Sequence, residues 1–202
     1  MEYEGIYRKT GGAGQSKAIT QAFERGDYDA FDLQDPDAFN DICSVTSVLK
    51  NYFRALPNPL LTFELHEAFV QAACMCCLHN AYDFYLTFSI AYRDATAKSS
   101  ALTNALEQLP REHFETLRML MLHLHGWVNF TKSPFGTYRN DRVMERSNVN
   151  LMSARNLGVV FGPTLMRSAD SAKEFADMAG KALCIEWLVE QAQYGLKCSI
   201  IR

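Results

Sequence analysis

A surplus of positive charge is missing from this chain: 20 lysines and arginines face 23 aspartates and glutamates over 202 residues, a formal charge of -3. That balance gives no general attraction for nucleic acid or anionic lipid, so any basic surface must be a local patch and a protein partner is the natural one. Paired cysteines are missing too. The six, at 43, 74, 76, 77, 184 and 198, show no disulfide framework, and nothing at ligand spacing completes CMCC into a metal site. They read as reduced thiols of a cytoplasmic protein. No signal peptide opens the sequence, and its most apolar stretch, residues 74–92, carries His79, Asn80 and Asp83, which a membrane span rarely tolerates. Alternating strand patterns of useful length are also lacking, which leaves an all-α class. With 48% hydrophobic residues, the chain reads as a single domain, 1–202, with a real core.

What is present is a series of amphipathic segments. In DICSVTSVLKNYFRALPNPLLT, Ile42, Val45, Val48, Leu49, Tyr52 and Phe53 share a helix face that Pro57 and Pro59 then end. Lys50 and Arg54 lie four apart, side by side, with no acid in the turn; taken alone, such a pair reads as a solvated helix face. Further helices are expected in FELHEAFVQAA, SALTNALEQL and PREHFETLRMLMLHLH, the last with Pro110 at its first position. His123 and His125 point to different faces and do not make a metal pair. NLMSARNLGVVF and AKEFADMAGKALCIEWLVEQAQ complete the set, with FGPTLMR as a break between them. Asn156, on the apolar helix of Leu157 and Phe161, either caps a neighbouring backbone group or aims outward.

The stretch EGIYRKTGGAGQ sets Arg8 between an apolar-aromatic pair and glycines 11, 12 and 14, which allow positive φ and a sharp bend. Arg8 is thereby offered at a loop rim, where it can reach into a partner. GGAGQSK is no phosphate loop, since Gln15 intervenes and Ser16-Lys17 stand in reverse order. Lys9-Thr10-Gly11 and Ser47-x-x-Lys50 spell two β-lactamase words in the wrong chain order.

EGIYRKTGG, SVLKNYFRALPNPLLT and NLMSARNLGVVFGPTLMR resemble, in that order, the three signature blocks of RhoGAP domains, with wording closest to the fungal LIM-type members. The resemblance implies a helical bundle that is not itself an enzyme but stimulates GTP hydrolysis by a GTP-bound Rho-family small GTPase. Arg8 stands at the position of the arginine finger, which acts in trans. Lys50 and Arg54 match the basic pair that steadies the finger loop and meets the GTPase, and Asn156 matches an asparagine that contacts it near the nucleotide. No cofactor is implied for this chain, because GTP and Mg2+ belong to the partner; nucleic-acid binding and direct membrane insertion are not expected. A related alternative is a RhoGAP-like fold that only binds the GTPase or is inactive.

Two departures from the family pattern stand out. Family members carry a first helix before the finger block, so an N-terminally truncated bundle lacking that helix is expected. Residues 74–92 and 126–140 have no counterpart. They read either as surface insertions, which loop entropy tolerates, or as unspliced introns, since the codons of Cys74-Met75-Cys76 and Tyr92-Arg93 can spell splice boundaries.

Overall fold

The computed structural model describes residues 3–26, 41–74, 87–126 and 143–192, with side chains of the fourth helix described from Ala95 onward. Among these residues there is no strand, as the absent alternation implied. The helices are α1 (Ala13–Arg25), α2 (Ile42–Ala55), α3 (His66–Cys74), α4 (Thr87–Glu107), α5 (Arg111–His125), α6 (Ser147–Asn150), α7 (Ala154–Leu165), α8 (Lys173–Ala176) and α9 (Met178–Gln191). A 3-10 turn, Met144–Arg146, leads into α6.

Helix α9 is the pillar of the bundle, packed against α7, α3 and α5, while α7 also meets α2 and α1 lies along α2. The α7–α9 contact is close because α7 turns glycine toward its neighbour. A Cβ on Gly158 would stand 2.4 Å from the Ala182 carbonyl oxygen, so any side chain there would push the helices apart. Around this contact Leu157, Phe161, Leu165, Ile185 and Leu188 are fully buried. Each such side chain contributes about 1.5–3 kcal/mol by leaving water. Lys181 is fully buried as well, with its ammonium 2.6 Å from Glu174 Oε1, which holds α8 against α9. His66 on α3 meets Asp177, between α8 and α9, at 3.0 Å.

Several boundaries differ from the sequence expectation. Gly162-Pro163 does not break the chain: α7 runs through Pro163 to Leu165. A proline there forfeits the amide that would have bonded the Val159 carbonyl one turn back, and the glycine before it has no Cβ to clash with the ring. The last expected helix divides at Asp177, and Pro110 serves as N-cap of α5 and not as its first residue. Helix α4 begins at Thr87, ahead of the expected SALTNALEQL, and α1 was not anticipated at all because its start is glycine-rich. Of the two unmatched stretches, Cys74 closes α3, residues 87–92 run in α4 and Gly126 caps α5. Residues 75–86 and 127–142 lie outside the described residues. Cys43, Cys74 and Cys184 are free thiols.

Candidate functional site

The site is built around the loop that precedes α1. Gly5 and Tyr7 both take left-handed backbone, at φ 72° and 68°. For a non-glycine residue such a conformation costs about 1–3 kcal/mol and persists only where its surroundings hold it. The holding contacts come from three directions. Asn150, at the end of α6, accepts the Gly5 amide on its backbone oxygen at 2.7 Å. Lys50, from α2, donates its ammonium to the Tyr7 carbonyl. His123, from α5, shares a 2.6 Å hydrogen bond with the Tyr7 phenol, whose ring also packs on Phe161 of α7 with centroids 5.2 Å apart.

The result is an alternation of depth along the loop. Gly5, Ile6 and Tyr7 are buried, and Arg8, immediately after them, is exposed. Its amide donates to the Gly5 carbonyl at 2.9 Å, so the backbone at Arg8 is fixed while its side chain faces outward. Lys9 is spoken for by Glu4 at 4.0 Å and by the Tyr3 ring. Arg8 has no such partner among the described residues. The expectation of a cation at a loop rim therefore matches the geometry, but the glycines act differently from the sequence reading. Positive φ belongs to Gly5, and not to Gly11, Gly12 or Gly14. Gly11 is needed for space, since a Cβ there would lie 2.1 Å from the Ser44 amide nitrogen on α2.

That close approach also revises the face of α2. Its buried residues are Cys43, Ser44, Thr46, Ser47, Lys50 and Phe53, whereas Tyr52 is 61% exposed. The face turned to the loop is polar because it bonds loop backbone. Ser47 Oγ accepts the Gly11 amide at 3.2 Å and Ser44 Oγ donates to the Gly12 carbonyl at 3.3 Å. Asp41, the N-cap of α2, accepts the Cys43 and Gly12 amides at 3.0 Å each and the Ser44 hydroxyl at 2.7 Å. Those donors, the Ser44 hydroxyl foremost and then the Gly12 amide, hold its carboxyl below the ordinary aspartate range.

The basic pair divides into unlike halves. Lys50 is 6% exposed, and burial first, then the nearby Arg54 charge, lowers its proton affinity. Arg54 is exposed and donates to Asn51 Oδ1 at 3.1 Å. Neither a shared solvated face nor two equivalent contacts describes them: one cation supports the loop and the other faces out. Asn156 is half-buried, and its amide nitrogen donates to the Leu151 carbonyl at 2.7 Å, which is the capping alternative. Leu151 is itself left-handed, at φ 59°, directly after Asn150. The buried Asn150 side chain ties the Val143 carbonyl and the Met152 amide, at 2.6 and 2.8 Å. Asn156 and Asn150 thus shape one turn between α6 and α7, and that turn receives Gly5.

Tyr7, His123, Asn150 and Asp41 were not singled out by sequence reasoning. The aromatic beside Arg8 was visible, but nothing local marked its partner 116 residues away. Among the described residues no group of histidine, cysteine and carboxylate side chains could hold a metal ion, and no helix is long and apolar enough to cross a membrane.

Among the described residues the bundle is all-helical, holds the loop before α1 from α2, α5 and α6, and leaves the Arg8 side chain exposed at the loop's rim. The chain belongs to the RhoGAP domain family, whose pattern it matches over residues 1–170. It is 30% identical to the probable Rho-type GTPase-activating protein 4 of Schizosaccharomyces pombe and 34% identical to N-chimaerin of Mus musculus, each across 94% of this chain. The chain spans only 16% and 34% of those proteins' lengths. Among solved structures it resembles the BH domain from GRAF, the GTPase regulator associated with focal adhesion kinase, with a TM-score of 0.65 and 27% identity over 96% of this chain and 84% of that one. Human Rho GTPase activating protein 15 shares the fold at a TM-score of 0.70 and 24% identity, over 96% of this chain and 75% of that one.

Proposed function

We propose that this domain stimulates GTP hydrolysis by a GTP-bound Rho-family small GTPase, with Arg8 entering the nucleotide site in trans. The observation that carries the proposal is the exposed Arg8 on a backbone fixed by Lys50, Asn150 and His123. A phosphoryl group in transfer spreads negative charge over its oxygens, and a permanently charged, forked guanidinium placed there stabilises the transition state more than the ground state. A pre-fixed backbone means that little ordering entropy is lost as the side chain docks. The GTPase supplies GTP, Mg2+ and the attacking water, so the domain is an activator and not a hydrolase. Arg54 faces outward beside the loop and is suited to steering the partner, while Asn156 and Lys50 support the surface that meets it.

The test is single-turnover hydrolysis by a panel of Rho-family GTPases, with affinity measured separately. Arg8→Ala should leave binding nearly intact while stimulation falls by orders of magnitude, since the guanidinium acts on charge that develops only in the transition state. Arg8→Lys should stay mostly inactive, because an ammonium cannot fork between two oxygens. Equal loss of affinity and rate would make Arg8 an anchor. Full stimulation by Arg8→Ala would sink the activating role and leave a binding module.

A further inference from the structure

We propose that the Tyr7–His123 hydrogen bond is a positioning device for Arg8: it holds residue 7 in its left-handed conformation and so sets the direction in which the next side chain leaves the loop. The inference rests on the activating role proposed for Arg8 and assigns to it two residues on separate elements. Tyr7 is 2% exposed and sits at φ 68°, a conformation that bulky residues seldom adopt unaided. Relaxation to negative φ would rotate the peptide between residues 7 and 8 and swing Arg8 away. Two contacts oppose that rotation from opposite ends of Tyr7. Lys50 holds its carbonyl, and His123 holds its hydroxyl at 2.6 Å, with the imidazole edge-on to the phenol at 85°.

The hydroxyl is the informative atom. Packing against Phe161, with centroids 5.2 Å apart, needs only the ring, and a phenylalanine would supply it. A phenol buried this deeply has no water to turn to, so the hydroxyl–imidazole bond must be broken before Tyr7 can leave its pocket. Because His123 is on α5 and Lys50 is on α2, the loop is fixed relative to two helices at once. This makes Tyr7 and His123 positioning residues that act through Arg8.

The experiment compares Tyr7→Phe, His123→Leu, their combination and His123→Gln with the parent domain. Loss of one neutral hydrogen bond corresponds to roughly a fivefold fall in single-turnover rate at saturating domain. Affinity for a GTPase loaded with a non-hydrolysable GTP analogue should stay within about twofold. The combined variant should be no slower than the slower single one, since both remove the same bond, and His123→Gln, which keeps a polar group within reach, should recover part of the rate. A second readout needs no GTPase. Hydrogen exchange at the Arg8 and Lys9 amides, which donate to the Gly5 carbonyl at 2.9 Å, should speed up in Tyr7→Phe.

The outcomes separate cleanly. Faster exchange with a selective rate loss supports the proposal. Faster exchange in Tyr7→Phe, when the parent itself stimulates no GTPase, supports the loop anchor and removes the activating role instead. Unchanged exchange overturns the proposal whatever the rate, as does faster exchange with full stimulation. Rate and affinity falling together would make Tyr7 part of the docking surface and overturn it as well.

Discussion

Replacing Lys50 by methionine keeps the unbranched stem and removes only the ammonium, which isolates what the cation does under the loop. Two terms oppose each other. The lost bond to the Tyr7 carbonyl is charge-assisted, and bonds of that kind contribute about 1.5–3 kcal/mol. Against this, the ammonium is 6% exposed and sits near Arg54, and its lowered proton affinity shows that burial and like charge penalise it. The offset should hold the change in unfolding free energy within about 1 kcal/mol. The loop does not share that offset, because relief of desolvation puts nothing in place of the tether on Tyr7. If the whole bond energy biases the loop, the fraction of domains with Arg8 correctly aimed falls by between about tenfold and about 150-fold. Single-turnover rate at saturating domain reads that fraction, calorimetry reads stability, and titration against the analogue-loaded GTPase reads affinity. A further signature is ionic strength: a buried tether is poorly screened, so the Lys50→Met defect should persist as salt is added. Arg54→Ala should behave oppositely. Its exposed charge is screened beyond about 8 Å at physiological ionic strength, so its defect should shrink with salt. A Lys50→Met protein with the parent's rate, or with a defect that salt erases, would refute the tether.

Gly11→Ala should destabilise the domain by about 1–3 kcal/mol, because its Cβ would stand 2.1 Å from the Ser44 amide nitrogen; Gly12→Ala, facing open space at φ -63°, should cost far less, and thermal unfolding of the two checks the contrast. The Cys184 thiol is fully buried, and burial raises its pKa from the ordinary 9.0 to about 12. Since the folded value lies above the unfolded one, the folded state holds the proton more tightly and its contribution is lost as pH rises. Unfolding free energy should therefore fall by about 1.4 kcal/mol per pH unit above about pH 9 from this group. Cys184→Ala should start lower, for the cavity it leaves, and flatten that slope in a denaturant series at stepped pH.

What the sequence made legible followed the range of each signal. Helical periodicity is local, so α2, α3, α5, α7 and α9 could be read, and the three ordered blocks carried the family. Arg8 could be read too, because its exposure follows from buried neighbours and a following turn within the same dozen residues. The polar face of α2 could not. Period alone put Ile42, Leu49, Tyr52 and Phe53 inside, and Ile42, Leu49 and Phe53 do pack on the core, but Tyr52 is exposed and the buried turn of Ser44, Ser47 and Lys50 is chosen by a backbone segment from elsewhere in the chain, whose close approach depends on Gly11 lacking a Cβ. A polar residue bonded to loop backbone and one bonded to water look alike in sequence. The same blindness hid His123, which is one histidine on an apolar helix until Tyr7 is brought to it.

The loop's design places the strain and the support in different parts of the chain. Tyr7 and Leu151 each hold a left-handed conformation that their own sequence does not favour, and each adjoins a residue that matters to the site, Arg8 on one side and Asn150 on the other. The Gly5 amide on the Asn150 carbonyl joins the two strained turns directly. Relaxing either would therefore loosen the other, and on the role proposed for Arg8 the Asn156 bond to the Leu151 carbonyl would help to aim it, although Asn156 lies on α7 and no hydrogen bond joins it to the loop before α1 among the described residues. This coupling predicts that Asn156→Ala weakens stimulation partly at a distance: exchange at the Gly5 and Arg8 amides should quicken even with no GTPase present. If those amides exchange as slowly as in the parent while stimulation is lost, Asn156 acts by direct contact with the partner, and the two turns are independent.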